Sequence, residues 1–235
     1  MIEVGSPLQR GFYRGARELV RLVNRSVFAT QVGSAAPLPP PPYILAPTHR
    51  SNLDTPFVGS ITADPMTYMA KAGVMEAPGF GALLRLLGGF PVHREATDRD
   101  AVELALAALG RGSSLVVFPE GTRRRGARVE GIEEGAAYLA LRADVPIVPA
   151  AIAGSERAMR PGSPVVLPAP VAIEVGAPLW PGEVREVHAG RVRRSEIRRL
   201  SALLEAELNR LLERARRERA RLVRSGRRIP PDPRD

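Results

Sequence analysis

The sequence predicts a single α/β domain, a central sheet of mostly parallel or mixed strands flanked by helices. An amphipathic helix precedes the domain and a basic helix follows it. Three observations carry this expectation. Short apolar runs at 43–46, 66–70, 115–118 and 145–152 read as buried strands and alternate with segments of helical period. Hydrophobic residues make up 44% of the 235 positions, enough for one sizeable core. The residues with chemistry to offer cluster just after the strand-like runs, where α/β proteins open their sites. Composition divides the chain into 1–36 (an amphipathic surface helix and the start of a Pro-rich linker), 37–183 (the main domain) and 184–235 (a basic helix with a disordered tail).

Several function classes fall away early. With no cysteine, disulfides and thiolate chemistry are excluded, and the count fits a reducing compartment. The three histidines (His49, His93, His188) form no metal-ligand pattern, so no metal is expected. The N-terminus lacks the apolar core of a signal peptide, and no run reaches the ~18 apolar residues of a membrane span. A soluble or surface-bound protein is therefore expected. A net charge of +9 points to an anionic partner: nucleic acid, lipid headgroups or a phosphorylated substrate. Of the 34 basic residues all but Lys71 are Arg. That singles out Lys71, because a compact ammonium suits a tight site for one point charge.

In chain order, the first element is a helix over 8–28. Arg10, Arg14, Arg17, Arg21 and Arg25 recur as one stripe, with Phe12, Ala16, Leu19, Val20, Val23 and Val27 roughly opposite. Such a helix suits an anionic membrane surface, and it also suits docking on its own domain with Arg in water; the two are compatible, since one edge can dock while the other touches lipid. Residues 33–42, rich in Pro, read as a stiff linker. The strand at 43–46 ends at Pro47 and delivers Thr48, His49, Arg50, Ser51, Asn52, Leu53 and Asp54. A helix follows from Thr55 to about Thr62, with Asp54 or Thr55 as its cap and Pro56 in its first turn. His49 and Asp54 thus share one strand-to-helix loop. A carboxylate that accepts from one ring nitrogen fixes the tautomer and leaves the other nitrogen to take a proton. This is two thirds of a triad with no protein nucleophile, suited to activating a hydroxyl on the substrate.

A strand at 66–70 brings Lys71 to its carboxyl end, and a Gly-rich extended stretch ends in Arg94. A helix is expected over 98–109, with Val102, Leu106 and Leu109 on one face. The strand at 115–118 opens onto Pro119, Glu120, Gly121, Thr122 and Arg123, with Arg124, Arg125 and Arg128 extending the positive charge. A helix is expected from Gly131 to Ala143. The next apolar segment, 145–152, carries Pro146 and Pro149, which favours strand ends or an edge position. One or two strands are expected in 165–175. The last helix, 195–222, shows a stripe of Ile197, Leu200, Leu204, Leu208 and Leu211. Its basic end is interleaved with Glu213 and Glu218 and carries no aromatic for base stacking, so no specific nucleic acid is expected. Contact with anionic lipid fits it better.

Four blocks now stand in order: THRSNLD, GGFPVHR, FPEGTR and VPIVPAAI. Together they resemble the four blocks of the glycerolipid acyltransferases, the 1-acylglycerol-3-phosphate (lysophosphatidic acid) acyltransferases and their relatives, over roughly residues 43–175. The resemblance implies transfer of a fatty acyl group from acyl-CoA or acyl carrier protein to a lysophospholipid hydroxyl, at the cytoplasmic face of a membrane and without a cofactor. His49 would be the base and Asp54 its orienting acid. Glu120 and the Gly121 backbone would help place the glycerol. Lys71, Arg94 and Arg123 would clamp the phosphate, with Thr122 beside them. The sequence departs from the family where Glu133 and Glu134 precede Gly135, which leaves another lysolipid acceptor open. Two other readings are a hydrolase built on Ser51, Ser113 or Ser114, which lack a G-x-S-x-G elbow, and a basic membrane-binding protein without activity. Oligomeric state is not legible.

Overall fold

A computed structural model describes residues 7–62, 64–71, 89–92, 98–160, 163, 165–185 and 191–225. Among these residues seven strands form one sheet: β1 (Gln31–Ser34), β2 (Ile44–Pro47), β3 (Met66–Lys71), β4 (Gly89–Val92), β5 (Ser114–Val116), β6 (Ile147–Ala153) and β7 (Ala172–Val175). Their order is β1-β7-β6-β2-β5-β3-β4. The pairs β6–β2, β2–β5, β5–β3 and β3–β4 are parallel, β7 runs antiparallel to β6, and β1 follows β7. The sheet is mixed and mostly parallel. Its parallel strands place the carboxyl ends of β2, β5 and β3 side by side at one end of the sheet, where β2 leads into THRSNLD, β5 into FPEGTR, and β3 ends at Lys71.

Both faces are covered, which explains why the strands read as unbroken apolar runs rather than alternating ones. Ile44, Ala46, Leu115, Ile147 and Ala151 point to a core shared with α3 (Asp98–Gly110), α4 (Gly135–Ala143) and, after the short α5 (Ser155–Ala158), α6 (Arg194–Arg224). Tyr43, Leu45, Val116, Val148 and Ile152 point the other way, against Phe28 and against Phe57 and Val58 of α2 (Asp54–Val58). The stripe on α6 is buried as its spacing predicts: Leu200, Leu204, Leu208 and Leu211 are no more than 1% exposed. That helix packs across β6 and β7.

Four expectations are corrected. Residues 33 and 34, read as linker, belong to β1, because Val171 and Val175 offer backbone partners to Gln31 and Ala35. The helix expected from Gly131 begins at Gly135. Gly131 lies at φ 62, a left-handed conformation that cannot continue a right-handed helix. β6 is central and wholly buried, not an edge, despite Pro149. The missing N–H of Pro149 faces Gly176, just past the end of β7, which donates to the Pro149 carbonyl at 2.9 Å. One ladder bond is forgone where the ladder has already ended.

The fourth correction concerns α1 (Pro7–Ser26). It docks by one edge, along Tyr13, Arg17, Val20 and Asn24 continued by Phe28, so that Arg17 of the basic stripe is turned inward and not into water. Arg17 donates to the Thr62 carbonyl at 2.8 Å, and Asn24 to the Pro56 carbonyl at 3.0 Å and the Ser60 hydroxyl at 2.7 Å. Leu19 and Leu22, 62% and 63% exposed, face solvent with Val23 and Val27. Polar side chains with fixed backbone partners outcompete the apolar ones for the inner face. Among the described residues no helix is long and apolar enough to cross a membrane.

Candidate active site

The site grows from the ends of β2 and β5. After Pro47 the Thr48 N–H bonds to the Ala150 carbonyl and its hydroxyl accepts from Ile152, so the loop leaves the sheet under control. Asp54 is the first residue of α2 but caps nothing ahead of it; its carboxylate reaches back into the loop. One oxygen, Oδ2, lies 2.9 Å from His49 Nδ1 and accepts the N–H groups of Arg50 at 2.5 Å and Ser51 at 2.7 Å. Asp54 is wholly buried, so this carboxylate is held rigidly. With Nδ1–H directed at the acid, the lone pair resides on Nε2, which has no hydrogen bond among the described residues. The imidazole stacks on Phe118 with ring centroids 4.1 Å apart and planes 27° apart. It stays partly open, its side chain 19% exposed.

Glu120 lies beneath this loop and not in the open. It is 0% exposed, its Oε1 accepts the His49 N–H at 2.8 Å, and its Oε2 lies 3.5 Å from the Arg50 guanidinium. Burial raises its carboxyl above the usual value, opposed by the His49 N–H and the Arg50 charge. Direct contact with a substrate, as the sequence suggests, would need that buried carboxylate to leave both partners. The Gly121 N–H likewise donates to the Phe118 carbonyl within the turn, at φ 64. Glu133, exposed, packs against Gly121, so a carboxylate does border this loop. The Thr122 N–H bonds to the Glu120 carbonyl, closing the same turn.

Arg123 is exposed and donates to Asn52 Oδ1 at 2.8 Å, joining the two strand-end loops. Lys71 is the last residue of β3, at the same end of the sheet, opposite Val92 of β4. Arg94 lies outside the described residues. So do His93 and His188.

Three residues gain roles that sequence reasoning missed. Arg50, 4% exposed, donates to the carbonyls of Arg124, Gly126 and Arg128 and thereby ties the two loops together. Asn209 of α6 exchanges two bonds with the Val129 backbone, both 2.9 Å, and Arg216 holds the Gly126 and Ala127 carbonyls. Only the position of Arg50 inside THRSNLD hinted at this. The hydrolase reading loses its nucleophile: Ser51 is buried and donates to the Met159 carbonyl at 2.9 Å, while Ser113 and Ser114 stand at the start of β5, the sheet end away from the His49 loop, where Ser114 accepts the Tyr43 N–H. Among the described residues no cluster of His, Cys, Asp and Glu could hold a metal ion.

Comparison with known proteins bears on the family and the fold. A 1-acyl-sn-glycerol-3-phosphate acyltransferase of Cocos nucifera is 30% identical over 134 residues, 56% of this chain and 44% of the relative. A lyso-ornithine lipid O-acyltransferase of Pseudomonas aeruginosa is 32% identical over 135 residues, 57% of this chain and 51% of the relative. The chain spans about half the length of these curated relatives. The crystal structure of the 1-acyl-sn-glycerophosphate (LPA) acyltransferase PlsC from Thermotoga maritima superposes with a TM-score of 0.68, covering 86% of this chain and 80% of that one. At 20% identity that likeness speaks for the fold. Residues 30–153, which contain β2, the His49–Asp54 loop, β5 and β6, match the family model described as Acyltransferase, and the chain belongs to that family.

Proposed function

We propose that this chain transfers a fatty acyl group from a thioester, acyl-CoA or acyl carrier protein, to the free hydroxyl of a lysophospholipid. The first acceptor in line is 1-acylglycerol-3-phosphate, which would give phosphatidic acid. The observation that carries the reading is the buried Asp54 carboxylate on His49 Nδ1 at 2.9 Å, with Nε2 unbonded among the described residues. Nε2 takes the proton as the acceptor oxygen attacks the thioester carbonyl. The imidazolium, stabilised by Asp54, returns that proton to the departing thiolate as the C–S bond breaks, so a free thiol and an ester result. No cofactor enters the balance; the thioester is a co-substrate.

Arg123, with Lys71 and Arg94, is assigned the acceptor's phosphate, and Thr122 lies beside it. Arg123 bridges to Asn52 two residues before Asp54, which favours a headgroup held next to the base. Arg123→Ala is expected to raise the acceptor KM about tenfold with kcat nearly kept, the loss of one charge-assisted contact. Glu133 against Gly121 supports a second acceptor class, a lysolipid whose headgroup carries a cation, and the Pseudomonas relative is named for such a lipid. Purified protein with palmitoyl- or oleoyl-CoA and a panel of lysolipids, scored by thiol release and product mass, tests both readings. No thiol release with any acceptor overturns them.

The membrane reading rests on α1. Leu19, Leu22, Val23 and Val27 form an exposed apolar ridge, with Arg14 and Arg25 exposed alongside. This suits a helix lying on an anionic lipid surface, at the cytoplasmic face. Leu19→Ser combined with Leu22→Ser is expected to lower partitioning onto anionic vesicles about tenfold. The thermal midpoint should stay put, because neither side chain is packed.

A further inference from the structure

A second apolar ridge lies about 140 positions downstream of α1 in the chain. Val165, Val166 and Leu167 are 56%, 47% and 44% exposed, three consecutive apolar residues turned to solvent. Their backbone is fixed and not a loose tip. Val166 forms an antiparallel bridge with Met159, and the Leu167 N–H donates to the Ala158 carbonyl at 2.8 Å. The chain then passes Pro168, Ala169 and Pro170, which line a cavity of about 510 Å³ together with Arg25, Ser26 and Val27 at the end of α1. Val171 pairs with Phe28 and Gln31 through backbone bonds, locking the segment to the residues after α1. Ala158, Ala169 and Phe28 pack in the same core layer, so both ridges lie on one face of the sheet.

We propose that residues 165–167 are a second lipid-contacting element that docks, together with the apolar ridge of α1, onto an anionic bilayer. The inference rests on the membrane reading of α1 and extends it to a surface the family blocks do not include. The partner follows from chemistry. Exposed apolar side chains flanked by Arg14, Arg25 and Arg157 match acyl chains beneath anionic headgroups. Two separated ridges also do what one helix cannot, fixing the rotation of the domain on the surface. The consequence reaches the candidate site, because the Ser51 hydroxyl donates to the carbonyl of Met159, the bridge partner of Val166. Lipid contact at this ridge therefore sets the height of the His49 loop above the bilayer.

The probe is a single indole. Trp180 is the chain's one tryptophan, so Leu167→Trp in a Trp180→Phe background gives one emitter. On vesicles of mixed phosphatidylcholine and phosphatidylglycerol its emission should shift to the blue, and brominated acyl chains should quench it. In parallel, V165S/V166S/L167S should lower vesicle partitioning about tenfold. Leu104→Ser and Leu203→Ser, exposed on α3 and α6 of the opposite face, should not. A chain that pellets with vesicles while the indole stays water-exposed and unquenched overturns this inference alone. A wild-type chain that ignores vesicles overturns the membrane reading beneath it as well. Loss of a lipid-free dimer in the triple variant, with partitioning unchanged, would assign the ridge to a second copy of the chain and overturn the proposal.

Discussion

His49→Ala is expected to cut thiol release from acyl-CoA by about 10²–10⁴-fold, the usual contribution of a positioned general base. Vesicle binding and folding should persist, because the imidazole is partly open and its tight partners among the described residues are Asp54 and the face of Phe118. Asp54→Asn should cost less than losing the imidazole. An amide oxygen can take the place of Oδ2 and keep the N–H groups of Arg50 and Ser51, so the loop retains its shape. The negative charge that favours the imidazolium is lost, and the amide NH₂ falls where Oδ1 now lies buried without a hydrogen-bond partner among the described residues. The rate should fall in kcat with the acceptor KM nearly unchanged. An Asp54→Asn enzyme as fast as wild type would remove the acid from the mechanism, and an active His49→Ala enzyme would remove the base.

What the sequence disclosed and what it hid divide along contact distance. His49 and Asp54 are five positions apart on one loop-to-helix turn, so their meeting is a local event and spacing alone forecasts it. The buried stripe of α6 is equally local, set by the 3.6-residue period. The Glu120–His49 bond spans 71 positions and the Asn209–Val129 bonds span 80, and no period encodes either. The inward turn of Arg17 and Asn24 on α1 was hidden for a related reason. Hydrophobicity ranks Leu19 and Leu22 above Arg17 and Asn24 for burial. The inner face was decided by backbone carbonyls at Pro56 and Thr62, which lie outside the helix's own sequence. Pro149 misled because its missing N–H matters only where a neighbouring strand expects it, and β7 ends one residue short.

Glu120→Ala should destabilise the fold by about 3–5 kcal/mol, the range for stripping one partner from a buried ion pair. Arg50, 4% exposed, would lose the carboxylate 3.5 Å away and keep only carbonyls, and the His49 N–H would lose its acceptor. Urea unfolding checks this: the midpoint should drop while the slope, set by the surface exposed on unfolding, stays constant. The pH dependence carries a second signature. Burial raises the Glu120 carboxyl above its ordinary 4.5, so folding favours the protonated acid. A group with a raised folded pKa contributes stability that is present below the unfolded value and lost as pH climbs through the folded one. Glu120→Gln cannot ionise and has no such loss. The stability difference between the two proteins should therefore move in favour of the Gln variant as pH rises from about 4.5, then level off. Should Glu120→Ala unfold at the wild-type midpoint and change only the acceptor KM, the carboxylate would be touching substrate, and the buried brace between His49 and Arg50 would be the wrong account.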